Sequence, residues 1–143
     1  MPRLKRNFRI CYYYHLYNRG NRKSIVFYDS ADYQFFLDNI YYYANKYSVN
    51  ILAHCLMPNH YHLVVQCNDH AKNISSMMQS AMTRFCVYIN KRYDLVGRTF
   101  QGTYKHKLLE TEYDLLRLKK YLRENPIKAG MVTKSEYYRW LRT

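Results

Sequence analysis

Two histidines and a tyrosine–asparagine pair carry the chemistry this sequence can offer. His60 and His62 stand two apart in His60-Tyr61-His62-Leu63-Val64-Val65-Gln66, a run that reads as a β-strand. Side chains on a strand alternate between faces, so both imidazoles project to one side while Tyr61 and Leu63 turn to the other. A His-x-His pair on a strand is a ready two-point site for a divalent cation. Taken alone, such a pair is more often two surface or half-buried histidines. Tyr121 and Asn125 stand at i and i+4 on a predicted helix and share one of its faces. On spacing alone the plainer reading is favoured: Asn125 ends the helix before Pro126 and Tyr121 belongs to the core.

The elements that must position these residues follow from periodicity and turn chemistry. Residues 11–17 read as a strand and residues 18–22, Asn-Arg-Gly-Asn-Arg, as a loop. Asp29 or Ser30 caps a helix whose apolar positions Tyr33, Phe36, Leu37, Ile40 and Tyr41 recur at helical spacing to about Tyr47. Residues 49–56 form a second strand, Met57-Pro58-Asn59 a tight turn, and residues 60–66 return as the other arm of a hairpin. A second helix is predicted near 74–92, with Ile74, Met77, Met78, Ala81, Phe85, Tyr88 and Ile89 on one face. Residues 103–109 form a fourth strand. Thr111 caps a third helix, with Leu115, Leu118 and Leu122 among its apolar positions, which Pro126 ends just past Asn125. The order β-α-β-β-α-β-α predicts an α+β fold: a ferredoxin-like (RRM-like) core with an antiparallel sheet and an added C-terminal helix that carries Tyr121. The first two helices cover one face of the sheet and leave the other for function.

Composition narrows the partner. The 143 residues, 48% of them hydrophobic, suit one domain spanning 1–143, with a basic arm over 1–10 and a tail over 133–143. Lys and Arg number 23 against 10 Asp and Glu, a formal charge of +13, which favours a polyanion. An acidic membrane surface is the rival, but no segment is apolar and long enough to span or anchor. The basic start Met1-Pro2-Arg3-Leu4-Lys5-Arg6 is not followed by an apolar run, so it does not read as a signal peptide, and the cytoplasm is the default location. Cys11, Cys55, Cys67 and Cys86 lack the spacing of a zinc knuckle or redox motif and are expected to be reduced and mostly buried. Tyrosine is the outlier at 18 copies; aromatics among basic residues suit stacking on unpaired bases, although for most of the 18 an ordinary packing role is the plainer reading.

Met57-Pro58-Asn59-His60-Tyr61-His62-Leu63-Val64-Val65 resembles the signature of the IS200-like transposases, and within them the REP-associated tyrosine transposase branch. Further segments are similar to that family. They are His15-Leu16-Tyr17-Asn18-Arg19-Gly20, Ile25-Val26-Phe27 through Asp32-Tyr33, Gly97-Arg98-Thr99-Phe100-Gln101-Gly102-Thr103-Tyr104, and residues 121–132 from Tyr121 through Asn125-Pro126 to Val132. The resemblance spans roughly residues 11–132. It implies a single-tyrosine endonuclease and transposase of the HUH class. His60 and His62 would bind a divalent cation, Asn125 would be the third protein ligand, and Tyr121 would be the nucleophile. The products would be a 5′-phosphotyrosine and a free 3′-hydroxyl, with no ATP needed. The implied substrate is single-stranded or hairpin DNA. The implied ion is magnesium or manganese, manganese being the better match to imidazole. Some relatives are swapped dimers, so a monomer and a homodimer with an exchanged catalytic helix both fit. Two departures stand out: Phe100 replaces the usual tryptophan, and after Tyr138-Arg139-Trp140 the sequence goes on to Leu141 and ends at Thr143, which reads as a truncated tail.

Basic candidates for DNA contact are Arg19, Arg22, Lys23, Arg84, Lys91, Arg92, Arg98, Lys105 and Lys107, with Lys120 and Arg123 flanking Tyr121; for each, a solvated surface charge is the plainer reading. His106, two residues from Tyr104, could line the active face or be structural. Among the other tyrosines, Tyr61 is turned away by strand alternation. Tyr113 lies eight residues before Tyr121, about 12 Å along a helix at its standard rise. Tyr104 is the strongest rival. Four other functions compete. A non-enzymatic RRM-like nucleic-acid-binding protein shares the topology but has no need of His60, His62 and Asn125 together. A hydrolytic metallonuclease would use bound water and leave no covalent adduct. A two-histidine phosphoesterase needs a second His-x-Thr or His-x-Ser pair, which is missing. A domesticated, catalytically silent relative would still bind hairpin DNA, although every named catalytic residue is present.

Overall fold

The computed structural model describes residues 6–143; the first half of the basic arm expected over 1–10 lies outside them. Five strands and three helices follow in the order β1 (Tyr13–Arg19), α1 (Ser30–Lys46), β2 (Val49–Met57), β3 (His60–Cys67), α2 (Asn73–Arg92), β4 (Lys105–Leu109), α3 (Glu112–Lys128) and β5 (Leu141–Arg142). The sheet is antiparallel throughout, in the order β4-β1-β3-β2-β5. Its first four strands have the ferredoxin-like arrangement expected from the sequence, and β5 is an addition.

Burial explains the layering. On β3, Tyr61, Leu63 and Val65 face the α1/α2 layer and are fully buried. The Tyr61 ring packs 5.0 Å from Phe36 of α1 and 5.3 Å from Phe100, and Phe36 meets Phe85 of α2 at 5.1 Å. Each such side chain contributes about 1.5–3 kcal/mol by leaving water. The start of α1 is tied to the end of α2 through Asp32, which is wholly buried. Its carboxylate accepts from the Tyr28 backbone N–H (2.9 Å), the hydroxyls of Tyr88 (2.9 Å) and Tyr93 (2.6 Å), and the Arg92 guanidinium (2.7 Å). Arg92 also pairs with Asp29 at 2.7 Å, so this DNA-contact candidate is instead a structural counter-ion.

The opposite face of the sheet is covered by α3, docked through Leu115, Leu122 and Pro126. This helix does not end at Asn125. It continues through Pro126 to Lys128, because a proline in the last turn removes one donor only, the one that would have met Leu122. The turn closes behind it with Ala129 N–H donating to the Asn125 carbonyl at 3.0 Å. Two other expectations are corrected. β1 starts at Tyr13, since Cys11 has left-handed backbone (φ 66°), and it runs on through Asn18 and Arg19, which were expected in a loop. β4 starts at Lys105, because residues 101–103 bend away and Asn18 Nδ2 donates to the Gly102 carbonyl at 2.9 Å. The tail over 133–143 is structural: Tyr138 donates to the Leu56 carbonyl at 2.6 Å, Trp140 stacks 4.8 Å from Tyr33, and β5 closes the edge of β2. All four cysteines are free; Cys55 and Cys67 are buried, Cys86 is partly buried, and Cys11 is exposed, contrary to expectation for that one. Among the described residues no helix is long and apolar enough to cross a membrane.

Candidate active site

Register places the chemistry. Residues directly opposite in an antiparallel pair share a face. β1 sets Tyr17 opposite His62 and Arg19 opposite His60, and β4 sets Lys107 opposite His15 and Lys105 opposite Tyr17. The face under α3 therefore displays His60, His62, His15, Tyr17, Arg19, Lys105 and Lys107. From above, α3 lowers Asn125 onto the histidines: its Nδ2 lies 3.4 Å from His60 Nε2 and 3.5 Å from His62 Nε2. One turn earlier, the Tyr121 ring stands edge-on to His62, centroids 6.0 Å apart, and is 48% exposed, open to a polymeric substrate. All four predicted site residues converge, and α3 meets the histidines of its own chain.

Burial holds all three imidazoles on this face below the ordinary histidine value. His62 is pushed down to about 3 by burial and by the neighbouring His15 and His60. His15 is pushed down to about 4 by burial and then by the Lys107 charge, and His60 is lowered by burial. At neutral pH each is therefore an uncharged ring with one lone pair. Among the described residues no group of three or more His, Cys, Asp or Glu gathers to hold a metal ion, so a three-donor set needs an amide. Two neutral imidazoles and the Asn125 amide fit a divalent cation and leave positions open for phosphate oxygen and water. Rotating the amide half a turn puts Oδ1 where Nδ2 stands, with no change in shape.

The loop after β1 grips the turn that presents His60. Gly20 N–H donates to the Asn59 carbonyl at 2.8 Å, and Val26 N–H donates to the Pro58 carbonyl at 2.8 Å. A Cβ on Gly20 would lie 2.0 Å from the Ser24 carbonyl oxygen, so no larger residue fits there without moving the backbone.

The rival nucleophile lies on the other side of the sheet. Tyr104 sits beneath the Arg6 guanidinium, 3.9 Å from its ring centroid. It is also close enough to Tyr61 to help burial raise the Tyr61 phenol. His106 is opposite Leu16 and packs 5.1 Å from Phe8, so it too belongs to the helix-layer side and does not line the site. Tyr113 is exposed two turns from Tyr121.

The basic candidates separate by place. Arg19, Lys105 and Lys107 rim the site on the sheet, the Arg19 guanidinium hydrogen-bonded to Gln101. Lys120 and Arg123 are exposed beside Tyr121, Arg123 donating to Thr143 Oγ1 at 3.2 Å. Arg22 and Lys23 occupy a left-handed turn after β1, φ 56° and 61°. Arg84 and Lys91 lie exposed on α2, and Arg98 lines a cleft of about 810 Å³ between α2 and residues 97–104; all three belong to the other layer.

Sequence reasoning missed three neighbours of the histidines. His15 Nε2 is 2.9 Å from His62 Nδ1, Tyr17 stacks on His15 at 4.6 Å, and Asn59 Oδ1 is 2.7 Å from His60 Nδ1. His15 and Tyr17 stand two apart on a strand, as His60 and His62 do, but only the β1–β3 register brings the two pairs together.

The family model for IS200-like transposases matches residues 10–125. Among solved structures, a REP-associated tyrosine transposase bound to a REP hairpin is similar at 18% identity and TM-score 0.79, over 99% of this chain and 82% of that one. A candidate transposase from Deinococcus radiodurans R1 is similar at 17% identity and TM-score 0.56, over 86% of this chain and 97% of that one. No curated protein matches.

Proposed function

This chain belongs to the family of IS200-like transposases, and from that premise we propose that it cuts and rejoins single-stranded or hairpin DNA, with Tyr121 as nucleophile and His60, His62 and Asn125 as ligands of a divalent cation. The observation that carries the proposal is the convergence of Asn125 on both His Nε2 atoms with an exposed tyrosine one turn away. What bound magnesium or manganese supplies is neutralisation of phosphate charge at a non-bridging oxygen. Tyr121 contributes its phenolic oxygen, which bonds to phosphorus while the bond from phosphorus to the 3′ oxygen breaks. The phenol gives up its hydrogen to solvent, and the 3′ oxygen takes up a proton from solvent and leaves as a free hydroxyl. The phosphotyrosine keeps the ester bond, so a 3′-hydroxyl from another strand can attack it and release Tyr121. Arg19, Lys105 and Lys107 on the sheet and Lys120 and Arg123 on α3 flank the tyrosine from two sides and would hold the backbone phosphates. The formal charge of +13 and the hairpin bound by the similar structure support a DNA partner.

The test is incubation with hairpin-bearing single-stranded DNA and Mn2+, then a denaturing gel and mass spectrometry of the trapped adduct. The expected adduct is on the peptide carrying Tyr121, and Tyr121→Phe should bind the DNA normally and give none. An adduct on any other peptide, or one formed by Tyr121→Phe, overturns the assignment.

A further inference from the structure

A neutral imidazole carries one N–H, and the partner of each ring nitrogen decides which one. At His60 the decision is made by Asn59. Its Oδ1, which can only accept, stands 2.7 Å from His60 Nδ1, while its Nδ2 donates to the Lys23 carbonyl at 3.5 Å. Flipping this amide would set Oδ1 against the carbonyl oxygen, two acceptors facing each other. The hydrogen of His60 is therefore on Nδ1 and its Nε2 is a bare lone pair. That lone pair needs a donor, and Asn125 Nδ2 supplies it at 3.4 Å. The same Nδ2 faces His62 Nε2 at 3.5 Å, so His62 Nε2 is an acceptor as well. The hydrogen of His62 then lies on Nδ1, where His15 Nε2 waits at 2.9 Å.

We propose that Asn59 and His15 are positioning residues: each accepts the Nδ1 hydrogen of one site histidine, and together they turn both Nε2 lone pairs to the point where Asn125 sits. The inference rests on reading His60 and His62 as metal ligands. A metal-bound imidazole is oriented through its second nitrogen, and removing that partner costs about 10- to 100-fold in metal affinity. The network also gives the loop after β1 a task. Its left-handed residues Arg22 and Lys23 bring the Lys23 carbonyl to the Asn59 amide, and this fixes which end of the amide faces His60.

Histidine-labelled, metal-free protein, read by long-range proton–nitrogen NMR above neutral pH, tests the tautomers without any catalysis. Both His60 and His62 should show the hydrogen on Nδ1; a hydrogen on Nε2 of either ring overturns the proposal. In the second arm, Mn2+ affinity is measured by paramagnetic resonance of the free ion. Asn59→Ala and His15→Phe should each weaken binding by about 10- to 100-fold, and Asn59→Asp and His15→Gln, which keep an acceptor, should recover it. Folded alanine and phenylalanine variants with wild-type affinity and unchanged tautomers overturn it. Should His15→Phe fail to fold, Asn59→Ala and the wild-type spectrum still decide. A wild-type protein with both Nδ1 hydrogens in place that binds no Mn2+ sustains the positioning roles and refutes the metal assignment instead.

Discussion

Leu122→Ala should unseat α3 while leaving the rest of the fold standing. α3 meets the body of the protein through Leu115, Leu122 and Pro126, while Tyr113, Leu116 and Tyr121 are exposed. Leu122 has no exposed surface. Its truncation removes three buried carbons and leaves a cavity, a combination that costs about 3 kcal/mol. The α1/α2 core lies across the sheet from this contact, so the loss falls on docking of α3. A change of about 3 kcal/mol moves an equilibrium by roughly 100-fold. Hydrogen exchange should therefore accelerate by about that factor in the amides of α3 and stay unchanged at Leu63 and Val65 of β3. Adduct yield should fall with it, because Tyr121 and Asn125 leave the histidines together. Equal acceleration in α3 and β3 would show that the helix opens only with the whole domain; no acceleration in α3 would show that Leu122 is not its anchor. Either result refutes the reasoning.

Two further outcomes are expected. Stability should fall on acidification between about pH 6.5 and 4. His54, held down to about 4 by burial and by Arg142, stays neutral in the folded chain while its unfolded counterpart takes up a proton from 6.5 downward. Urea midpoints should drop with pH through that window, by at most about 1.4 kcal/mol per unit for this residue, and His54→Gln should flatten the slope by one proton. Replacing Lys105 and Lys107 together by Gln should weaken binding to single-stranded DNA uniformly across sequences; the plot of log affinity against log salt should become shallower by about 1.4, the share of two phosphate contacts.

What could be read from the sequence was mostly what is local. Strand alternation put His60 and His62 on one face, and helical spacing put Tyr121 with Asn125. Neither period says that the two faces meet across more than sixty residues of chain; the family resemblance supplied that expectation. The Asp32–Arg92 pairing was equally out of reach, since nothing near Arg92 in sequence identifies its carboxylate. Pro126 reads as a helix end in the sequence, but in a last turn a proline leaves the helix intact. β5 has two residues, too few for any period. Yet the alternation before it, with Tyr138 and Trp140 buried and Arg139 exposed, is strand-like and could have been noticed. Charge alone marks the basic residues in the sequence, and charge does not tell the site face from the helix layer.

The end of the sheet at β4 has a consequence for how the protein behaves at high concentration. β2 is covered by β5, but among the described residues β4 has a neighbour only on the β1 side. A strand with one free row of N–H and C=O groups is a template for another chain, and short length and lysines are the usual protection. β4 has five residues and places Lys105 and Lys107 on one face. A second molecule adding antiparallel to this edge, centred on His106 or Lys107, would bring lysine against lysine, which is unfavourable for directly opposed like charges. The two lysines proposed to meet phosphates should thus also keep the sheets of two DNA-free molecules from merging. Light scattering from the doubly substituted Gln protein should rise with concentration where the wild type stays flat, so its lost DNA affinity would come together with lost solubility.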